Sequence, residues 1–575
     1  MGKQAQLTTE MTMGQALEGV VSRFAKRVAL VRGSERVTYR QLSERAQALA
    51  QSLRELGVGQ GDRIATLLWS DAESVYLFFA TALLGAVIAP LPPRLRRQEM
   101  EAFLRELQPK LVVTSSELEV PDGLEALRAL QRELPSLRHV LVTDADGEVK
   151  PSFRAMLTAS PRPEDVAVQV NPRDLLAILY SSGTTGRAKG IMHSHRGLIA
   201  PVVASIKLRE TWMTWPNLKL LNRWLRVLAR YGLRLLAAAG RQQVFLSTNG
   251  MHTIAGLEAM LQALLMGDRL VLLPRFHPVR TLETIERERV TILIAVPMAY
   301  VAMMRSRDFD RYRHSSLLIC AAGAAPCPPE LAREIRRRFG CAVHIGFGLT
   351  EVGGGIAATS LEDAPSRQAE TVGQPMPGIE IKIVGEDHRP LPPGLVGELA
   401  CRSDGLMLGY FGDRHNLWTS FDSPYSQRES KLVHGEVVDE QGWLYTGDLA
   451  EMDAEGYIRI VGRKKDMIIR GGQNIHPAKI EAHITAMPQV REAAVVGVPD
   501  ALGGESVWAF VILEAGARLE EKDILTHCRA SLEAYEIPRQ VRIVEEFPRT
   551  STGKPQKYKL REFALKELQT HDEPT

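Results

Sequence analysis

The sequence predicts an α/β protein: a large N-terminal domain of mixed α/β sheets with a β-rich subdomain, followed by a small α+β C-terminal domain. Three observations predict it. Helical and strand-like segments alternate through the first part. After Gly378 the pattern turns to short strands between Gly-, Pro- and Asp-rich turns, and a compact helix-and-strand tail begins near Asp466. Alternating strands and helices mean largely parallel pairing, whereas short strands joined by tight turns mean antiparallel pairing.

In the first part, Leu42, Ala46, Leu49 and Leu53 recur at helical spacing between Tyr39 and Leu56, and Gly57 closes the segment. That is an amphipathic helix with a glycine stop. Arg63–Trp69 follows as a short apolar strand, and Ser70-Asp71 can cap a helix running through Ala80 toward Leu84. Leu111–Thr114 and His139–Thr143 read as further buried strands. In the middle part, Glu380–Val384, Gly397–Arg402 and Tyr457–Val461 are the short strands. The tail has a helix after His476-Pro477, strands near Ala493–Val498 and Ser506–Leu513, and a helix near Glu520–Leu532. The domains are expected at 1–463 and 464–575.

Composition narrows the function. A formal charge of +3 over 575 residues is too mild for a nucleic-acid partner, so any basic pocket is local. The five cysteines are scattered without C-x-x-C spacing, which argues against a disulfide framework or a zinc site and for a reducing, cytoplasmic setting. Residues Met1–Glu10 lack the apolar core of a secretory signal, and no run approaches the ~20 apolar residues of a membrane span. Lys207–Gly240 interleaves Trp212, Trp215, Trp224 and Tyr231 with arginines and lysines. It is read either as a surface helix packing its aromatics on the protein or as a basic helix making peripheral contact with a membrane or with an acyl chain.

The chemistry begins at Ser181-Ser182-Gly183-Thr184-Thr185-Gly186, followed by Lys189, after the apolar run Leu175–Leu179. Glycines let the backbone approach a polyanion, and the hydroxyls and Lys189 add donors and positive charge. It is not a Walker A loop: Ala188 stands at the second glycine position and Gly190 follows the lysine. That makes a P-loop ATPase the wrong reading.

The loop resembles the signature of adenylate-forming enzymes, the superfamily of acyl-CoA synthetases, luciferases and peptide-synthetase adenylation domains. Further motifs follow in the family's order, from about residue 25 to 565. Gly323-Ala324-Ala325-Pro326 is similar to the adenine-contacting turn. Gly346-Phe347-Gly348-Leu349-Thr350-Glu351 resembles the segment whose Thr contacts the α-phosphate and whose Glu holds Mg2+. Tyr445-Thr446-Gly447-Asp448 resembles the motif whose carboxylate binds the ribose hydroxyls, and Arg463 the ribose-contacting arginine, with Lys465 at the hinge position. Gly471-Gly472 is similar to a loop lining the CoA tunnel, and Lys554, in Pro548–Lys554, to the catalytic lysine.

The resemblance implies ATP-dependent carboxylate activation through an acyl-adenylate, with pyrophosphate released and CoA as the acceptor. ATP, Mg2+ and CoA are the implied small molecules. The chemistry suits the residue types: a carboxylate attacking the α-phosphate brings two anions together, and Mg2+ with Lys554 would offset their repulsion. Amino-acid-activating members use an aspartate early in the acyl pocket; Asn249–Gly256 contains no acid, so an apolar acyl or aryl acid is expected. The gate position is ambiguous. The spacing is His252-x-x-x-Gly256 where many relatives have His-x-x-Gly, so that Thr253 takes the usual place in an ungapped alignment. The leading expectation is a medium- or long-chain fatty acyl-CoA ligase. An aryl-CoA ligase, an acyl-AMP ligase loading a carrier protein, and a non-catalytic nucleotide or lipid sensor are the alternatives.

Overall fold

A computed structural model describes residues 7–116, 118–120, 122–144, 152–159, 169–181, 189–213, 225, 227, 229–231, 241–412, 438–470, 473–500, 504–549 and 554–571. The described residues fall into two compact units. The first draws on Met1–Ser181, Lys189–Glu380 and Arg402–Gly442, and the second on Ile381–Cys401 and Trp443–Thr575.

The first unit holds two large sheets. One runs, edge to edge, Gln374–Pro375, Gly354–Ala358, Ala342–Leu349, Ile319–Ala322, Ile292–Ala295, Val244–Ser247, Arg269–Val271, Val28–Arg32, Glu35–Thr38. Its six middle strands, from Ala342–Leu349 to Val28–Arg32, are parallel and its edge pairs antiparallel. The other runs Gly409–Phe411, Lys189–Ser194, Leu175–Ser181, Val87–Pro90, Arg63–Leu67, Leu111–Thr114, His139–Val142. It is parallel except for the two pairs that Lys189–Ser194 makes.

A helical layer fills the space that both sheets share. The Tyr39–Glu55 helix starts on a reciprocal cap: Thr38 Oγ1 accepts from the Gln41 N–H, and the Gln41 side chain accepts from the Thr38 N–H. Its expected apolar face, Leu42, Ala46, Leu49 and Leu53, is fully buried. The Ala72–Leu84 helix is capped by Asp71 and stopped by Gly85 in the left-handed region (φ 65°). These helices and Ile254–Leu265 share one core with Ile64, Ile88 and Leu176 of one sheet and Leu30, Phe245 and Leu270 of the other. Burying apolar faces on both sides of a helical layer is the chief stabilising term here, at roughly 25 cal/mol per Å2.

The second unit contains the antiparallel sheet Glu380–Val384, Gly397–Arg402, Leu444–Met452, Ile458–Arg463. It also contains a three-stranded sheet, Val490–Pro499, Glu505–Leu513 and Gln540–Ile543, with the helices Pro477–Thr485 and Glu521–Arg529 on one face and Lys557–His571 on the other. Ile480, Ile484, Val495, Val507, Val511 and Ile524 make its core. Among the described residues no helix is long and apolar enough to cross a membrane.

Candidate active site

In the first unit the sequence-predicted residues gather at the C-terminal ends of parallel strands, where backbone groups and loops are free to meet a ligand. Ile319–Ala322 and Ala342–Leu349 lie side by side with Ala322 opposite Ile345. Their continuations, Gly323 and Gly346, therefore abut: a Cβ on Gly323 would stand 3.0 Å from the Gly346 carbonyl oxygen. Ala324 adopts φ 61°, a left-handed backbone that costs a non-glycine residue about 1 kcal/mol. Strain of that kind collects at functional turns.

After Gly346 and Phe347 the chain passes a break in ladder register, then Gly348, whose Cβ would lie 2.3 Å from the Gly354 carbonyl oxygen. Thr350–Val352 form a single 3-10 turn ended by Gly353 at φ 72°. The Met407 N–H donates to the Glu351 carbonyl at 2.8 Å, fixing the turn from the flank. The Glu351 carboxylate accepts from the Tyr410 hydroxyl at 3.4 Å, and the same tyrosine ring carries Lys189 Nζ at 4.6 Å from its centre. Lys189 and Ser181 are register partners in the hairpin Leu175–Ser181/Lys189–Ser194. Thus the structure brings together Ser181, Lys189 and Glu351 through one aromatic strand. Ser182, Gly183, Thr184, Thr185 and Gly186 lie outside the described residues.

The acyl-gate candidates divide. Burial pushes the His252 imidazole down to about 4, so it is neutral at pH 7. Its ring packs on Gly250, where a Cβ would meet Cε1 at 2.3 Å. Thr253 is a helix cap: Oγ1 accepts from the Gly256 N–H at 3.2 Å and donates to the Gly250 carbonyl at 2.8 Å. Gly256 is small for packing, since a Cβ would lie 2.2 Å from the Gly250 oxygen. Glu258 lies two residues beyond the stretch Asn249–Gly256. This residue lies largely buried on the Ile254–Leu265 helix, and burial pushes its carboxyl up to about 7. A signal was present: Glu258 is the one acid in an otherwise apolar helix, with Gln262 four residues on.

In the second unit, Asp448 and Arg463 are opposite each other on antiparallel strands, with Arg463 Nε 2.8 Å from Asp448 Oδ1. The Asp448 side chain is 4% exposed and the Arg463 side chain 38%, so the acid is held in place while the arginine still reaches solvent. Glu398 braces the turn, accepting from the Gly447 N–H at 3.0 Å and from Lys464 Nζ at 2.9 Å. Thr446 ties it to the neighbouring strand by donating to the Leu399 carbonyl at 2.8 Å. Lys465 lies in the 3-10 turn Lys464–Asp466. Lys554 is exposed, one residue before the Arg549–Pro555 bridge closes. Gly471 and Gly472 fall outside the described residues.

Of the basic stretch 207–240, the described part engages protein groups. Arg209 pairs with the buried Asp268 at 2.6 Å, Arg230 donates to the Glu362 carbonyl at 3.0 Å, and the Tyr231 hydroxyl accepts from Arg336 at 2.6 Å. Trp215 and Trp224 lie outside the described residues.

The chain is similar to known proteins over most of its length. Residues 17–411 match the AMP-binding enzyme family and residues 479–554 the AMP-binding enzyme C-terminal domain. The medium-chain fatty-acid–CoA ligase of Escherichia coli is 30% identical, over 92% of this chain and 86% of its own length. The mitochondrial medium-chain acyl-CoA ligase of Homo sapiens is 29% identical, over 96% of this chain and 87% of its own. Among solved structures, the anthranilate CoA ligase AuaEII bound to anthranoyl-AMP superposes with a TM-score of 0.77 at 26% identity, covering 98% of this chain and 99% of that one. ATP-bound MatB from Rhodopseudomonas palustris gives 0.76 at 27% identity, covering 96% and 99%. The chain belongs to the AMP-binding enzyme family.

Proposed function

We propose that this protein activates a carboxylic acid with ATP, forming an acyl-adenylate and pyrophosphate, and then transfers the acyl group to CoA. The observation that carries this reading is the corner where Gly323 meets Gly346 while Glu351, Tyr410 and Lys189 stand in one contact chain. A bare backbone cradle beside a carboxylate and a lysine is what a nucleotide with its metal ion requires.

Each residue then has a role. Thr350 contacts the α-phosphate, and Ser181, the following loop to Gly186 and Lys189 hold the outer phosphates. Gly323, Ala324 and Ala325, with Gly346, Phe347 and Gly348, form the base and sugar wall. Asp448 binds the ribose hydroxyls with Arg463 beside it. Glu351 would hold the Mg2+. Bound there, the ion would neutralise phosphate charge. Lys554 stabilises the charge that develops as the acid attacks the α-phosphate. The small C-terminal domain, 464–575, turns about Lys465 between the two half-reactions, and Gly471-Gly472 line the CoA tunnel.

The acid is a medium- or long-chain fatty acid, a reading supported by relatives named medium-chain acyl-CoA ligases. The anthranilate CoA ligase among the similar structures favours a second reading, a benzoate-like acid. The deciding experiment measures pyrophosphate release over a panel of fatty and aryl acids, with and without CoA, and identifies any thioester. No release with any acid would sink the proposal, and release without a CoA thioester would point to a carrier-protein acceptor. Replacing Gly472 with Trp should leave pyrophosphate release within about twofold and abolish thioester formation, because a side chain there would fill the tunnel. Equal loss of both half-reactions would remove the tunnel assignment.

A further inference from the structure

Directly after Glu351 the chain runs Val352-Gly353-Gly354-Gly355. Three successive glycines give this stretch more backbone freedom than any other sequence would, yet it must hold the proposed Thr350–Glu351 contacts in register. Something has to anchor it on both sides. Upstream, the anchor is the Met407 N–H on the Glu351 carbonyl. Gly353 itself is wedged where a Cβ would stand 2.7 Å from the Gly197 oxygen and 3.1 Å from the Gly405 oxygen.

Downstream, the anchor is a side chain from a different layer. The Gly355 N–H donates to both carboxylate oxygens of Glu258, each at 3.2 Å. The carboxylate lies flush against Gly354, where a Cβ would come within 2.6 Å of Glu258 Cδ and where φ is 150°. Gln262 Nε2 holds the carboxylate from behind, donating to Oε1 at 3.0 Å, and it also donates to Ser205 Oγ at 3.0 Å. The clamp therefore links the Ile254–Leu265 helix to the first residues of Gly354–Ala358, next to the register break at Phe347/Gly348. The groups that hold it are uncharged: the Gly355 amide, the Gln262 amide and, behind that, the Ser205 hydroxyl. Keeping a carboxyl largely buried among such groups is costly, and purely structural helix–sheet packing would be better served by an apolar side chain.

We infer that Glu258 is a positioning residue for the adenylation step: by clamping the Gly354-Gly355 backbone it fixes the Thr350–Glu351 turn against the phosphates and Mg2+. It acts through hydrogen-bond acceptance rather than through its charge. This rests on the proposed function, and the two can fail separately.

The test compares wild type, Glu258→Ala and Glu258→Gln in pyrophosphate release at varied Mg2+, ATP and acid. Glu258→Ala should lower kcat about tenfold and raise the Mg2+ concentration for half-maximal rate about fivefold, leaving KM for the acid within about twofold. Glu258→Gln, whose Oε1 can still accept from the Gly355 N–H, should recover most of both losses. If Glu258→Ala is insoluble, Glu258→Asp, whose carboxylate is drawn back by one methylene, replaces it with the same expected direction. Unchanged Mg2+ dependence in the truncated variant, or equal loss in the Gln variant, overturns the inference. Wild-type protein inactive with every acid overturns the proposed function instead.

Discussion

The candidate-site acids are held differently in the two units. In the second unit each buried acid of the candidate site has a basic partner: Asp448 has Arg463 and Glu398 has Lys464. In the first unit Glu258 is held by amides alone, and burial raises its carboxyl to about 7. Four imidazoles of that unit, His193, His195, His252 and His344, are each pushed down to about 4 by the same loss of water. Burial without a counter-charge favours the neutral form. Around Glu258 and these imidazoles the first unit is thus low in charge, whereas the second holds its site acids against basic side chains. Lys554, the residue expected to move charge to the reacting atoms, is exposed.

The largest expected effect on rate tests that assignment of roles. Lys554→Ala should slow adenylation by about 100- to 1,000-fold, the scale for removing one preorganised donor from developing charge. Because the side chain is exposed, Tm should stay within about 1 °C. Supplying synthetic acyl-adenylate and CoA should restore thioester formation nearly fully. A variant equally slow in both half-reactions would mean that the lysine is not specific to the first.

The largest effect expected on stability is the acid sensitivity of the first unit. An imidazole depressed to about 4 and ordinary at ~6.5 when unfolded binds more protons in the unfolded chain between those values. Stability is therefore fully present above pH ~6.5 and is lost as pH falls toward 4. With four such groups the loss by pH 4 is on the order of 10 kcal/mol. In the second unit only His476 is lowered among the described residues, and it is half-buried. Hydrogen exchange on the whole protein at pH 7 and pH 5 should show protection falling first in strands such as Lys189–Ser194 and Ala342–Leu349. Faster loss in Val490–Pro499 would reverse the comparison.

A smaller effect belongs to the paired acid. Asp448→Asn keeps the shape but removes the charge facing Arg463, and the half-exposed arginine can turn to water. The expected cost is about 1–2 kcal/mol of stability. KM for ATP should rise about tenfold because Asn is a poorer acceptor for two ribose hydroxyls. Titrating with ATP and with tripolyphosphate separates the two effects: only nucleotide binding should weaken.

How much of this was legible in the sequence follows from the range of the interactions. The helix expected over Tyr39–Leu56 is Tyr39–Glu55, and the tail strands expected near Ala493–Val498 and Ser506–Leu513 are Val490–Pro499 and Glu505–Leu513. Caps, periodicity and apolar runs are local, so they can be read locally. Arg63–Trp69 ends as Arg63–Leu67 because Trp69 and Ser70 lead into the Asp71 cap. Sheet order is not local: nothing near Val28–Arg32 says that Arg269–Val271 will lie beside it. The site shows the same division. Gly346–Glu351 announces itself as a motif, but the contact of Glu258 with Gly355 depends on a helix meeting a strand from far along the chain.

Glu258 supplies the smallest test, and the one with the opposite sign. Its carboxyl is ordinary when unfolded, at 4.5, and raised to about 7 when folded, so between those values the native state binds the extra proton. Its contribution is therefore most favourable below pH ~4.5 and is lost as pH rises through 7. Glu258→Gln removes the ionisation but keeps the acceptor. The variant should match wild type near pH 5 and exceed it by about 1–2 kcal/mol at pH 8, read from urea unfolding at both values. The histidine effect runs the other way, so the variant's gain should appear only on the alkaline side. A gain that is the same at both pH values would mean that Glu258 is already paired like Asp448, and the contrast between the units would vanish at its sharpest point.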